Sequence, residues 1–230
     1  MQHREAQSAL GRRRGRDKGI SFRFDNSRSG RACDVVYLVD EDPLVRKKIS
    51  KFLAAGKIKV SAFASATEYL NFPAPETAAC VVLNLHLPDL NGLELQRRLA
   101  SKGNPPIIFI SKPCDTASVV SAMKAGAIDF LAKPVDLAAL LAAIEVALAQ
   151  DRRVRQQMED LVALEERLAT LTPRQREVFP LVVEGLLNKQ AASALGISEV
   201  TLQVHRSQVM RKMNARCLAD LVRMAAKLSM

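Results

Sequence analysis

Val35-Val36-Tyr37-Leu38-Val39-Asp40-Glu41-Asp42-Pro43 decides the fold class. Five apolar or strand-favouring residues run straight into three carboxylates and a proline. A run that is apolar at every position, without alternation, fits a strand buried on both faces. The proline then suits the first turn of a helix. Working outward, the same order repeats. Short apolar runs at 58–63, 80–85, 107–110 and 128–131 are each followed by helical spacing, at 66–72, 91–102, 115–125 and 136–149, as 43–55 follows the first. Asp115 and Asp136 stand where N-caps belong. Five strands interleaved with five helices predict a parallel sheet covered on both faces.

Further along, 151–171 lacks Gly and Pro and carries Val154, Met158, Leu161, Leu164, Leu168 and Leu171 every three or four residues. This predicts a connecting helix, either packed as a linker or paired as a short coiled coil. From Thr172 the pattern is all-helical. Thr172-Pro173-Arg174-Gln175 is a capping-box arrangement. Gly185 ends that helix, Asn188 can cap a short one to Leu195, Gly196 gives a tight turn, and Ser198 caps a longer helix to about Met213. A last helix spans about 217–228. Short helices around a Leu-Gly-Ile-Ser turn predict a helix-turn-helix domain.

Composition narrows the class. Of 230 residues, 48% are apolar and 25% charged, enough for ordinary cores. No apolar run approaches the roughly 18–20 residues of a membrane span. Cys33, Cys80, Cys114 and Cys217 show no CxxC spacing, which speaks against a zinc site or disulfide framework and for a reducing compartment. The net charge of +10 is uneven. Residues 1–32 hold 9 basic against 3 acidic residues, 33–150 hold 12 of each, and 151–230 hold 13 against 9. A neutral middle between basic ends points to a polyanion partner or to a solvated tail and surface. The arm 1–32, centred on Arg12-Arg13-Arg14, has too few apolar residues to offset ordering and is expected to be disordered.

Ligands of open parallel sheets gather at the carboxyl ends of the strands. Those ends carry Asp40-Glu41-Asp42, Asn84, Ser111-Lys112 and Lys133-Pro134. Acids, a hydroxyl and a lysine on one rim suggest a Mg²⁺ and phosphoryl site. With these residues in view, 35–149 resembles the receiver domain of two-component response regulators. The matching elements are Val39-Asp40-Glu41-Asp42, Leu87-Pro88-Asp89-Leu90-Asn91-Gly92, Met123-Lys124-Ala125-Gly126-Ala127-Ile128-Asp129-Phe130 and Lys133-Pro134. Residues 172–228 resemble the DNA-binding domain of the LuxR/FixJ/NarL group, through Asn188-Lys189-Gln190-Ala191-Ala192 and Val204-His205-Arg206. The expected fold is an α/β receiver, a flavodoxin-like five-stranded parallel sheet, plus a small all-α helix-turn-helix domain. The expected boundaries are 1–32 (arm), 33–150 (receiver), 151–171 (linker helix) and 172–230 (DNA-binding domain).

The resemblance implies that Asp40 and Glu41 are the metal-binding acids, Ser111 the hydroxyl that senses phosphoryl, Phe130 the aromatic switch residue and Lys133 the phosphoryl-contacting lysine. The phospho-accepting aspartate should stand at Asn84. A carboxamide is neither an anionic nucleophile nor an anionic metal ligand, so Asn84 cannot form the acyl phosphate. With it goes a metal-binding carboxylate, leaving at most a residual weak Mg²⁺ site at Asp40 and Glu41. Asp89 follows Pro88 in a loop and is expected to point elsewhere. Lys112 either stands in for the missing cation beside Asp40 and Glu41 or is a solvated loop lysine.

On the helix from Glu199 to Met213, Leu202, Val209 and Met213 share one face, with His205 beside them as an expected buried, hydrogen-bonded histidine. Gln203, Val204, Ser207, Gln208 and Arg211 are expected to face outward. By resemblance, Gln203, Val204 and Ser207 reach base edges, where Gln pairs with adenine and Val meets a thymine methyl. Lys189, Thr201, Arg206, Arg211 and Lys212 are expected at phosphates. The last helix carries the stripe Leu218, Leu221, Val222, Ala225 and Leu228, and the family uses this helix to dimerise.

These expectations describe a cytoplasmic, homodimeric transcription regulator of double-stranded DNA, not an enzyme. It would need no cofactor and would act without aspartyl phosphorylation, with a protein or small molecule on the receiver as one route of control. The rival readings are a phosphorylation-gated regulator with another acceptor, and a partner-titrating protein that barely binds DNA.

Overall fold

The computed structural model describes residues 34–100 and 105–228. The arm 1–32 and Cys33 lie outside the described residues, as does the end of the helix expected over 91–102. The chain runs β1 (Val35–Val39), α1 (Pro43–Ala55), β2 (Lys59–Phe63), α2 (Ala66–Leu70), β3 (Ala79–Asn84), α3 (Gly92–Ala100), β4 (Ile107–Ser111), α4 (Thr116–Lys124), β5 (Asp129–Ala132), α5 (Leu137–Ala169), α6 (Pro173–Val183), α7 (Asn188–Leu195), α8 (Glu199–Met213) and α9 (Leu218–Lys227).

The strands form one parallel sheet in the order β2-β1-β3-β4-β5. β1, β3 and β4 are buried at every position because alternate residues serve two cores. Tyr37, Val39, Val81, Leu83 and Phe109 face a cluster with Tyr69 of α2, Leu95 and Leu99 of α3 and Ala122 of α4. Val36, Leu38, Val82, Ile108 and Ile110 face the opposite cluster with Ile49 and Leu53 of α1 and Ile144 and Leu148 of α5. β2 and β5 are the edges, and their residues are correspondingly more exposed. The order reverses at β1 and β3, so Asp40 and Asn84, each at a carboxyl end, flank the crevice where such sheets bind ligands.

Local chemistry fixes the entries to the helices. Asp42 caps α1 with Pro43 at its first position, Asp115 caps α4, and Asp136 caps α5. Gly92 opens α3 for a steric reason: a Cβ there would lie 2.8 Å from the Asn84 carbonyl oxygen and 3.0 Å from the Phe109 ring. The absent side chain lets α3 start against the end of β3, with the Gly92 N–H donating to Leu85 O at 2.8 Å.

The two helices expected at 136–149 and 151–171 are a single helix of 33 residues. Neither Gly nor Pro interrupts it, and Asp151 is fastened rather than turned. Its carboxylate accepts from the Ala79 N–H at 2.9 Å and from Arg155 Nε at 2.7 Å, and Arg155 Nη1 donates to Pro75 O at 3.1 Å. Arg152 adds an ion pair to Asp34 at 2.5 Å. Beyond α5, helices α6 to α9 close around a separate core of Val178, Phe179, Val182, Leu202, Val209, Met213 and Leu221.

Candidate functional site: the carboxylate rim and the outward face of α8

At the rim, Asp40 pairs with Lys133 and Glu41 with Asn84. Asp40 is fully buried; its Oδ1 accepts from the Asp42 N–H at 2.9 Å and its Oδ2 meets Lys133 Nζ at 2.6 Å. Burial pushes the Asp40 carboxyl above the ordinary aspartate range, and the Lys133 hydrogen bond opposes that shift. Asn84 is buried at the end of β3. Its Nδ2 donates to Glu41 Oε2 and, at 2.6 Å, to His86 O. Both amide hydrogens therefore have acceptors. A carboxylate in the same place would face only acceptors, Glu41 and the His86 carbonyl.

Ser111 ends β4 fully buried, and its Oγ has no partner among the described residues. Phe130 is half-buried and stacks on Phe109 with centroids 5.8 Å apart. Of the two readings of Lys112, the structure has the solvated loop lysine, and the cation beside Asp40 is Lys133. Lys112 is exposed, and no ion pair links it to Asp40 or Glu41. The physical reason is position: Lys112 stands beyond the strand end, whereas Lys133 follows β5 and reaches across to β1. Asp89 does point elsewhere. Its carboxylate accepts from the Ala66 and Thr67 N–H groups, at 3.1 and 2.7 Å, and from Thr67 Oγ1 at 2.6 Å. The Thr67 hydrogen bonds hold the Asp89 carboxyl below the usual range.

Sequence reading missed Arg46, whose Nη1 donates to the Asp40 carbonyl at 2.6 Å. The available signal was its place in the first turn of α1, directly above the acidic run. As a donor set, the rim does not fit Mg²⁺. Of two carboxylates, one is held by an ammonium and the other by a carboxamide N–H, and a hard cation needs several free oxygens. Among the described residues, no group of three His, Cys, Asp or Glu side chains is placed to hold a metal.

The second candidate surface is on α8. Ser198 caps it by accepting from the Thr201 N–H at 3.1 Å, and Gly196, with φ of 64°, makes the left-handed turn before it. The turn joins α7 to α8, and Arg174 Nη2 braces it by donating to Leu195 O at 2.6 Å. Gln203, Val204 and Ser207 are exposed on one side of α8, as are Thr201, Arg211 and Lys189 of α7. The core takes Leu202, Val209 and Met213.

Several expected roles shift. Arg206 is half-buried and donates to Asn188 Oδ1 at 3.0 Å, which makes Asn188 a partner for α8 rather than a cap. The cap of α7 is Leu187, and the Gln190 side chain accepts its N–H at 2.9 Å. Lys212 donates to Thr170 O at 2.7 Å and to Gln175 Oε1 at 2.9 Å. It flanks buried Met213, so its ammonium ties α8 to the end of α5 instead of facing outward. Gln208 is also turned inward, accepting from Gln175 Nε2 at 2.6 Å. His205 is only half-buried, and its Nδ1 is buried without a partner among the described residues. The α9 stripe buries Leu221 and Ala225, while Val222 stays 39% exposed.

Among the described residues, no helix is long and apolar enough to cross a membrane. Comparison with known proteins agrees with both halves of this geometry. Residues 36–145 match the response regulator receiver domain, and 169–225 match the luxR family of bacterial regulatory proteins. Nodulation protein W of Bradyrhizobium diazoefficiens is 40% identical over 195 residues, covering 84% of this chain and 86% of that protein. The transcriptional regulatory protein FixJ of Rhizobium meliloti is 39% identical, covering 83% and 94%. The solved structure of the response regulator StyR is 41% identical with a TM-score of 0.78, covering 85% of this chain and all of that one. The chain therefore belongs to the FixJ/NarL family of response regulators, a receiver domain joined to a LuxR-type DNA-binding domain.

Proposed function

We propose that this response regulator binds DNA through α8 and regulates transcription without aspartyl phosphorylation, its receiver being a pseudo-receiver. The observation that carries this reading is Asn84, which stands at the tip of β3 with both amide hydrogens engaged, on Glu41 and His86 O. An acyl phosphate needs a carboxylate nucleophile there, and phosphoryl transfer needs a cation on the acids. The amide bridges Asn84 to Glu41 without a metal, and Lys133 neutralises Asp40. Asp89 makes a poor substitute acceptor, since three donors already hold its carboxylate. The exposed face of α8 supports DNA binding.

In this reading Gln203, Val204 and Ser207 reach base edges, and Lys189, Thr201 and Arg211 contact phosphates. The protein acts in the cytoplasm as a homodimer, with 33–150 as receiver and 172–230 as DNA-binding domain. Control comes through abundance or through a protein or small molecule on the receiver. Incubation of the full chain with acetyl phosphate and Mg²⁺, followed by intact mass, tests it. No added phosphoryl group is expected; stoichiometric addition of one overturns the proposal.

A further inference from the structure

We propose that Val200 and Val204 together read thymine 5-methyl groups, so that this protein's half-site is built on A·T pairs recognised by methyl contact. The inference rests on the reading of α8 as the DNA-binding helix and names what that helix selects.

Val200 is 74% exposed and Val204 50% exposed, and neither belongs to the core of its domain. Valine is a mediocre helix former, because its branched Cβ loses rotamer freedom against the preceding turn. Neither burial nor propensity therefore accounts for two valines here. At spacing i, i+4 they share one side of α8, their Cβ atoms about 5–6 Å apart. With Gln203, Ser207 and Gln208 they line a shallow groove on the helix surface.

The polar groups around them narrow the choice of base. Guanine is characteristically gripped by a bidentate Arg or Lys in the major groove, thymine by apolar contact at its methyl, and adenine by Gln or Asn. Positions 200, 203, 204 and 207 offer no cation. Of the neighbouring cations, Arg206 is drawn off to Asn188 and Lys212 to Thr170 O and Gln175, while Arg211, exposed a turn beyond Ser207, is the phosphate contact of the proposed reading. Ser207 donates its hydroxyl hydrogen to Gln203 O at 2.9 Å, which leaves it as an acceptor. At these four positions the outward groups are one amide suited to adenine, two sets of methyls suited to thymine and the Ser207 oxygen as an acceptor. Successive nucleotides of a strand are about 3.4 Å apart. The valine spacing thus suits two thymines one to two steps apart.

The test uses the full chain to select a preferred duplex from a random-sequence pool. The selected duplex is then made with deoxyuridine replacing thymidine one position at a time, which removes only the methyl. At two positions the replacement should weaken binding about fourfold, the worth of one buried methyl. Val200→Ala should lose the thymine-to-uracil ratio at one of those positions, and Val204→Ala at the other. Equal affinity for every uracil-substituted duplex overturns the inference, as does a Val200→Ala variant that keeps the full ratio at both positions. Either result leaves the DNA-binding reading standing if the selected duplex binds in a salt-dependent way. A pool that yields no enriched, salt-sensitive binder overturns both.

Discussion

The rim of the sheet and the outward side of α8 are both rich in polar side chains, yet the fold treats them in opposite ways. At the rim, Lys133 answers Asp40, Asn84 answers Glu41, and Arg46 answers the Asp40 carbonyl. On α8, Arg206 and Lys212 are bonded inward, and Val200, Gln203, Val204 and Arg211 are left to solvent. The difference separates a site whose charged and amide groups are paired within the chain from a surface whose side chains face solvent. Desolvated charges persist only when compensated, and at the rim Lys133 compensates Asp40. Exposed methyls cost less, and a helix surface can hold them in reserve for a base edge.

The comparison breaks most completely at position 84. Asn84→Asp should restore the nucleophile and face it toward Glu41, so that the variant gains one phosphoryl group from acetyl phosphate with Mg²⁺ while the parent gains none. Its unfolding midpoint should also rise with added Mg²⁺, as the parent's should not. Absence of both effects would mean that more than one residue disables the rim.

Next in size, Lys133→Met leaves fully buried Asp40 without its ion-pair partner and should cost about 3–5 kcal/mol of stability in denaturant unfolding. Adding Asp40→Asn should recover a large part of the loss. The affinity for a selected duplex, measured where both variants are folded, should stay unchanged. A parallel fall in DNA affinity would show that rim and α8 are coupled after all.

Gly92→Ala should cost about 1–3 kcal/mol, because its Cβ would meet the Asn84 carbonyl at 2.8 Å and both partners are backbone-anchored. The smallest expected effect is at Asp89. Replacing it with Ala removes the acceptor for the start of α2 and should cost about 1 kcal/mol. Because the folded carboxyl titrates below its ordinary value, that contribution is present above the usual aspartate pKa of about 3.9. It disappears as pH falls through the depressed value. Unfolding curves of wild type and Asp89→Ala should therefore converge on acidification. A gap that stays constant into strong acid would assign the loss to packing instead.

Much of this was legible along the chain. The strands at Val35–Val39 and Ala79–Asn84 are uninterrupted apolar runs, and burial on both faces is the one environment that asks for them. Asp115, Asp136, Thr172 and Ser198 announced their helices because capping is a contact within three residues. That a carboxamide stands at the end of the third strand, Asn84, was visible from residue identity alone. What the sequence left open was which distant groups meet. Lys112 and Lys133 carry the same charge, and only the positions of β4 and β5 decide which ammonium arrives at Asp40. Lys212 read as an outward cation because nothing local shows that Thr170 O and Gln175 lie within its span.

The sequence by itself determined the element types, the receiver and helix-turn-helix plan and the carboxamide at the end of the third strand, since these follow from local pattern and residue identity. The tertiary structure decided the pairing: the continuity of α5, Asp89 serving α2, Arg46 and Lys133 serving Asp40, and Val200 and Val204 left exposed on α8. Pairing joins residues tens of positions apart, and its energy depends on ångström distances that no linear pattern encodes.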